Sequence, residues 1–225
     1  MSWWVSDVYH AQGPIYLVSW IFWVLLSITL HELAHGWAAM WEGDTTPRDT
    51  GHMTANPYVH MGPISMVIFA IIGFAFGLMP VNPSRFRHHR WGEAIVALAG
   101  PAMNLALILV CLTALGLITG LAAPPAGSPD PDWLVSVATF LLVGGWINIV
   151  LFLLNLIPVP PLDGSRILAA FSWKLREVYM QPQAQMAGLV LFMIIIYAGL
   201  ADGVLDGTMR VALAYSSFIQ GLVGG

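Results

Sequence analysis

Charged side chains are scarce in this chain of 225 residues: they make up 9% of the sequence, whereas hydrophobic residues make up 58%. The mean hydropathy of +0.76 excludes an ordinary water-soluble globular domain. The chain has no long basic run, and this absence argues against a nucleic-acid partner. Its single cysteine, Cys111, excludes an intrachain disulfide. The composition therefore predicts a protein embedded in the lipid bilayer.

Several uncharged stretches reach the roughly 20 residues that are needed to cross a bilayer. They predict an all-α, polytopic transmembrane bundle with four to six membrane segments, which forms one domain over residues 1–225. The segments are predicted at 15–41, 64–81, 94–123, 133–157, 186–201 and 208–223. The last of these either crosses the membrane or lies at its surface.

The first apolar segment contains the run His31-Glu32-Leu33-Ala34-His35. Positions i and i+4 share a face of an α-helix, so His31 and His35 can offer two imidazoles to one zinc ion, and Glu32 is placed as a general base. An ionisable residue in a membrane helix costs about 2.5–3.5 kcal/mol on insertion scales and usually marks a functional site. A pair of histidines buried by partner helices is the alternative, and the spacing favours the metal site.

A catalytic zinc site requires a third protein ligand and an open position for water. Asp163 is the best candidate, because it follows a long apolar segment in the proline-rich bend 155–164 and is one of few acids near the apolar runs. Free backbone at membrane depth is tolerated where it lines a polar cavity. The alternative is an ordinary turn with an exposed aspartate, since Pro, Asp and Gly are common in turns.

The positive-inside rule predicts the orientation of the helices. Basic residues concentrate in loops 85–90 and 166–176, which we therefore expect in the cytoplasm. The helix at 133–157 then runs inward, and the first helix must run the same way if His31, His35 and Asp163 meet at one metal. Residues 64–81 are then flanked by two cytoplasmic loops. We predict a re-entrant hairpin or short strands in this region after the first helix.

Four groups of residues together resemble the site-2 proteases, which are intramembrane zinc metalloproteases that cut transmembrane segments of other proteins. These groups are HELAH at 31–35, Asn56-Pro57-x-x-His60, Ala99-Gly100-Pro101-x-x-Asn104, and the stretch from Asn155 to Leu162-Asp163-Gly164. They extend over nearly the whole chain. The chain resembles the minimal branch of the family, because it leaves no room for the PDZ or CBS domains of other members.

The resemblance implies that His31, His35 and Asp163 bind one zinc ion near the cytoplasmic face and that Glu32 is the general base. It also implies that Asn155 lies close to the metal and positions the substrate carbonyl or its oxyanion. Substrates would be transmembrane proteins, including membrane-anchored regulators. The location implied is the inner or cell membrane of a bacterium or archaeon.

Other polar residues of these motifs have two interpretations. Asn155 and Asn104 can instead link helices by hydrogen bonds, which is the favoured interpretation for Asn104. His60 and His52 can approach the zinc as accessory or inhibitory ligands, although a loop histidine is more often solvated.

A membrane transporter or metal-binding channel is the rival function, because intramembrane histidines and an acid also bind transported cations. Glu32 argues against it, since a transporter needs no base beside a pair of histidine ligands. A non-catalytic membrane chaperone descended from a protease is disfavoured because HELAH and Asp163 are intact.

Overall fold

The computed structural model describes residues 3–89, 91–125, 127–179, 181–197 and 202–224. Within these ranges the chain forms ten α-helices and no strand, which confirms the all-α class. Arg90 of the basic loop and the predicted end of a membrane segment at 198–201 lie outside the described residues. The helices are α1 (Trp4–Gln12), α2 (Pro14–Trp41), α3 (Thr46–Asp49), α4 (Pro57–Ile72), α5 (Gly92–Leu121), α6 (Asp132–Leu156), α7 (Asp163–Ala169), α8 (Trp173–Tyr179), α9 (Pro182–Tyr197) and α10 (Asp202–Val223).

Among the described residues, α2, α5 and α6 are long and apolar enough to cross a membrane. Their 25 to 30 residues correspond to lengths of about 37–45 Å, against a hydrocarbon core of about 30 Å. Their bounds agree with the segments predicted at 15–41, 94–123 and 133–157. Proline at the first position of α2 and an aspartate in the first turn of α6 are typical helix starts.

These three helices pack against one another with a defined direction. Trp23 Nε1 donates to Phe140 O (2.8 Å) and Asn148 Nδ2 donates to Ser27 Oγ (2.9 Å), so α2 and α6 run parallel. This is the relative direction that the sequence predicts for them. Helices α2 and α5 run antiparallel, because His35 contacts Val96 whereas the earlier His31 contacts the later Asn104.

Small residues bring the helices close together. A Cβ added at Gly144 of α6 would overlap the Trp23 ring, and one added at Gly145 would overlap Leu112 of α5. Without a hydrophobic driving force in lipid, such close van der Waals contact is a main source of helix association. Cys111 is completely buried in this core.

Helix α10 lies along the second half of α5 and runs parallel to it. The Thr113 hydroxyl bonds the Tyr215 hydroxyl (3.0 Å), and a Cβ added at Gly116 would fall 2.5 Å from Ser216 O. The sequence left open whether residues 208–223 form a membrane segment. Here they form a helix that packs against a spanning one.

The region after α2 contains no strand among its described residues, so helices stand where the sequence allowed short strands. Helix α4 has a favourable start, because Pro57 occupies its first position and the Asn56 side chain accepts from Tyr58 N. It is kinked at Gly62, where the backbone is non-helical (φ 67°). Its last turn lies at the start of α1, where the Trp3 and Trp4 indoles both donate to Ala70 O.

The chain then returns as residues 74–82, which have no regular structure and which we call the return segment. Ser65 Oγ of α4 accepts from Phe76 N and donates to Phe76 O, and Leu78 N donates to His60 O. At its end Asn82 N donates to the buried carboxylate of Asp44, just after α2. The return segment therefore runs beside α4 back to the C-terminal end of α2.

Candidate metal centre

Three buried side chains from two distant parts of the chain meet at one point. The Nε2 atoms of His31 and His35 lie 3.0 Å apart, and Asp163 Oδ2 lies 3.1 Å from the first and 3.3 Å from the second. In the described part of the chain, this is the one group of three or more His, Cys, Asp or Glu side chains whose ligand atoms lie within 4.8 Å of one another.

Local sequence explains why these side chains converge. His31 and His35 are four residues apart on α2 and share one face. The bend after α6 reverses the chain, with Leu162 N bonded to Val159 O, and Asp163 then begins α7. Gly164 permits this reversal, because a Cβ there would fall 2.5 Å from Ile157 O.

Both histidine rings are held by their other nitrogen. His35 Nδ1 lies 2.7 Å from Val96 O, and His31 Nδ1 lies 2.6 Å from Asn104 Oδ1. Both partners are acceptors, so each neutral ring carries its proton on Nδ1. Each Nε2 then carries a lone pair on the side that faces the other Nε2 and Asp163, as in rings that bind a metal through Nε2.

A bound cation accounts for this arrangement. Two nitrogen lone pairs and a carboxylate oxygen at 3.0–3.3 Å repel one another, and Asp163 Oδ2 is buried without a hydrogen-bond partner. The edge of a tetrahedron with ligand distances near 2.0 Å is about 3.3 Å, so the triangle has the size of one face of a zinc site. Two imidazoles and one carboxylate are also a donor set of catalytic zinc sites, which leave the fourth position open.

Helix α5 reaches the ligand atoms with its backbone. A Cβ added at Gly100 would fall 2.5 Å from Nε2 of both His31 and His35. Real Cβ atoms do not come this close to ring nitrogens, so a side chain here would displace the rings. Gly100 is therefore part of the wall of the centre. In the sequence Gly100 appeared only as part of the motif Ala99-Gly100-Pro101-x-x-Asn104, without its contact to His31 and His35.

Glu32 is buried on the same helix, beside the ligands but facing the return segment. A Cβ added at Gly77 would fall 2.6 Å from both Glu32 Oε1 and Cγ. The return segment thus covers the Glu32 carboxylate with its backbone at the one residue that has no side chain.

Comparison with known proteins decides the family. The sequence model of Peptidase family M50 matches residues 130–199. The chain is 34% identical over 187 residues to the putative zinc metalloprotease YwhC of Bacillus subtilis, and the match covers 81% of each protein. The chain belongs to peptidase family M50. The resemblance to site-2 proteases is thereby confirmed, and the three apolar helices of this M50 chain mark an integral membrane protein.

Two longer relatives match as well. The chain is 31% identical over 170 residues to the putative zinc metalloprotease Rip2 of Mycolicibacterium smegmatis, and this match covers 72% of this chain and 58% of that protein. It is 30% identical over 186 residues to the putative zinc metalloprotease Rip3 of Mycobacterium tuberculosis, and this match covers 82% of this chain and 39% of that protein. No solved structure matches the chain.

The two histidines that were predicted as accessory ligands, His60 and His52, are not part of the group of three converging side chains. His60 is 2% exposed, so the expectation of a solvated loop histidine is wrong for it. Its Nε2 lies 2.7 Å from Thr54 O, and its ring centre lies 6.5 Å from that of the partly exposed His52. The structure does not bring either histidine into the group formed by His31, His35 and Asp163.

The asparagine that contacts a predicted ligand is Asn104. Asn155 Nδ2 donates to Leu151 O within its own helix (3.0 Å), whereas Asn104 bonds both His31 and Asn148. The bond to Asn148 links α5 to α6, which confirms the interpretation favoured for Asn104. Sequence reasoning missed its contact with His31. The available signal was its spacing, because Asn104 follows Gly100 by four residues and shares its helix face.

Proposed function

We propose that this chain is an intramembrane zinc endopeptidase that cleaves transmembrane segments of other membrane proteins, in one domain over residues 1–225. In this proposal His31, His35 and Asp163 bind one zinc ion and Glu32 is the general base. The observation that carries it is the triangle of three buried ligand atoms among apolar helices. Membership of family M50 and the names of the relatives support the same activity.

A bound zinc ion would supply Lewis acidity, which polarises the scissile carbonyl and activates water for attack. Glu32 takes a proton from the attacking water and delivers it to the leaving amine. Glu32 directly follows His31 on α2, and its burial keeps bulk water from competing for the carboxylate. Asn155 would position the substrate carbonyl or its oxyanion, the role implied by its motif.

The peptide bonds of a transmembrane helix are shielded by their own hydrogen bonds. A substrate must therefore unwind locally before a carbonyl can reach the centre, and helix-breaking residues near the cleavage site favour this step. Membrane-anchored regulators are the substrate class that we propose.

We further propose that the centre lies near the cytoplasmic face of a bacterial or archaeal cell membrane, with α2 and α6 running inward. Support comes from the basic residues in the segments that follow the C-terminal ends of α2 and α6. They are Arg85, Arg87, Arg166, Lys174 and Arg176. Helix α4 and the return segment would form a re-entrant hairpin, since their contacts run from Trp4 back to Asp44. If α9 and α10 are added to α2, α5 and α6, the number of membrane segments falls within the predicted four to six.

The test is cleavage of a transmembrane peptide by the purified protein in liposomes. We expect the wild type to cut a peptide with a central Gly-Pro pair faster than a matched peptide with Leu-Leu. A chelator should stop cleavage and added zinc should restore it. Glu32→Gln should keep its zinc and lose cleavage, and Asn155→Leu should keep its zinc and cut more slowly.

The same liposomes test the rival function. A transporter would move zinc into the lumen, and Glu32→Gln would leave that flux unchanged. We expect no zinc flux above that of protein-free liposomes. Zinc-loaded wild type that moves the ion and cuts neither peptide would overturn the proposal.

A further inference from the structure

The two histidines of the centre are oriented by different kinds of acceptor. His35 Nδ1 faces Val96 O, a main-chain carbonyl whose position is set by α5. His31 Nδ1 faces the side-chain oxygen of Asn104. A primary amide ends in an oxygen and a nitrogen of similar size, and a half-turn about its last bond exchanges an acceptor for a donor. Something must therefore hold Asn104 with its oxygen toward His31.

Asn148 of α6 supplies that constraint. Asn148 Nδ2 lies 2.8 Å from Gly144 O, and a backbone carbonyl only accepts, so the atom facing it must be the amide nitrogen. The oxygen of Asn148 then faces Asn104, which must present its own nitrogen across 2.8 Å. This leaves Asn104 Oδ1 directed at His31. The direction of each bond follows from the one before it.

We infer that Asn148 is a positioning residue for the metal centre: through Asn104 it fixes the His31 proton on Nδ1 and keeps Nε2 free to bind a cation. The inference rests on the proposed zinc site. Asn104 and Asn148 are both fully buried, so no water competes for either amide. The constraint starts on α6, a helix that supplies none of the three ligands.

Without Asn148, the Asn104 amide loses the partner that orients it. It can then turn its nitrogen toward His31, which moves the ring proton to Nε2 and removes one ligand lone pair. Loss of such an outer partner of a metal-binding histidine typically weakens metal affinity 10–100-fold.

The experiment measures the zinc affinity of the full-length protein in detergent, by competition with a chromogenic chelator. Asn148→Leu, which keeps the branching and the number of heavy atoms of the side chain, should bind zinc about 10–100-fold more weakly than the wild type. Ser27→Ala is the matched control, because Ser27 Oγ also accepts from Asn148 Nδ2 while Gly144 O remains to orient the amide. It should bind zinc close to the wild-type affinity.

A double variant separates positioning from packing. In Asn104→Asp/Asn148→Leu both terminal atoms at position 104 are acceptors, so His31 Nδ1 finds one in either orientation. Its zinc affinity should return toward the wild-type value, although the bond between α5 and α6 is still missing. Size-exclusion elution of the zinc-free variants identifies any that fail to fold.

Each result has a definite meaning. Wild-type affinity in Asn148→Leu would overturn the inference and leave the zinc site standing. A double variant that folds and binds as weakly as Asn148→Leu would overturn it too, because Asn148 would then act through packing. A wild type that binds no zinc would overturn the proposed function itself.

Discussion

The two sides of the centre are built differently. On the ligand side, His31 and His35 are enclosed by α5, whose Gly100 backbone touches the rings and whose Val96 and Asn104 bond them. On the base side, Glu32 faces the return segment, which has no regular structure and contacts the carboxylate at Gly77. The two proposed histidine ligands are thus held between α2 and α5, and the proposed base is covered by a segment without regular structure.

This difference separates two tasks. Metal ligands require fixed positions, which packed helices and buried hydrogen bonds provide. In the proposed reaction a substrate must reach Glu32, and segments with few buried contacts open at a lower free energy than packed helices. We therefore expect changes on the ligand side to affect zinc binding, and changes on the base side to affect cleavage alone.

The largest effect is expected on the ligand side, from Gly100→Ala. The added Cβ would displace both histidine rings, so zinc content should fall and cleavage should drop by at least about 100-fold. Metal analysis of the purified variant and the peptide assay measure the two effects. Gly116→Ala is the matched control on the same helix, because its Cβ would meet α10 instead. A Gly100→Ala protein with full zinc and normal cleavage would contradict the close contact of Gly100 with the His31 and His35 rings.

On the base side, Gly77→Ala adds a Cβ at 2.6 Å from Glu32 Oε1. The carboxylate or the segment must shift, and a displacement near 1 Å costs cleavage up to about 100-fold. Zinc content should stay at the wild-type level. If Gly77→Ala loses zinc together with cleavage, the ligand side and the base side of the centre are not independent of each other.

A smaller effect is expected where the return segment is attached. Ser65→Ala removes the hydroxyl that bonds both Phe76 N and Phe76 O, which destabilises the segment locally by about 1–3 kcal/mol. Amide hydrogen exchange should become faster in residues 74–82 and stay unchanged at the ligand end of α2. Equal exchange in variant and wild type would mean that Ser65 does not secure the segment.

Much of the fold and the ligand group could be predicted because their signals are local. Three spans follow from apolar runs, and the spacing of His31 and His35 defines one face of one helix. Asp163 required pairing two distant motifs, which the shared direction of α2 and α6 made consistent. The resemblance to a known family supplied the role of each residue.

The rest depends on contacts between distant parts of the chain. Gly77 touches Glu32 only because of the path that the return segment takes beside α4, and that path has no periodic signal. Asn104 and Asn148 each appear in sequence as one polar residue in an apolar helix. The hydrogen bonds that link Asn148 to Asn104 and Asn104 to His31 form only when α2, α5 and α6 are packed together.

Zinc content of the purified full-length protein tests the central claim most directly, when wild type, Glu32→Gln and Asp163→Asn are prepared side by side. We expect one zinc per chain in the wild type and in Glu32→Gln, and a clear loss in Asp163→Asn. Full zinc in Asp163→Asn, or none in the wild type, would contradict the proposed zinc site.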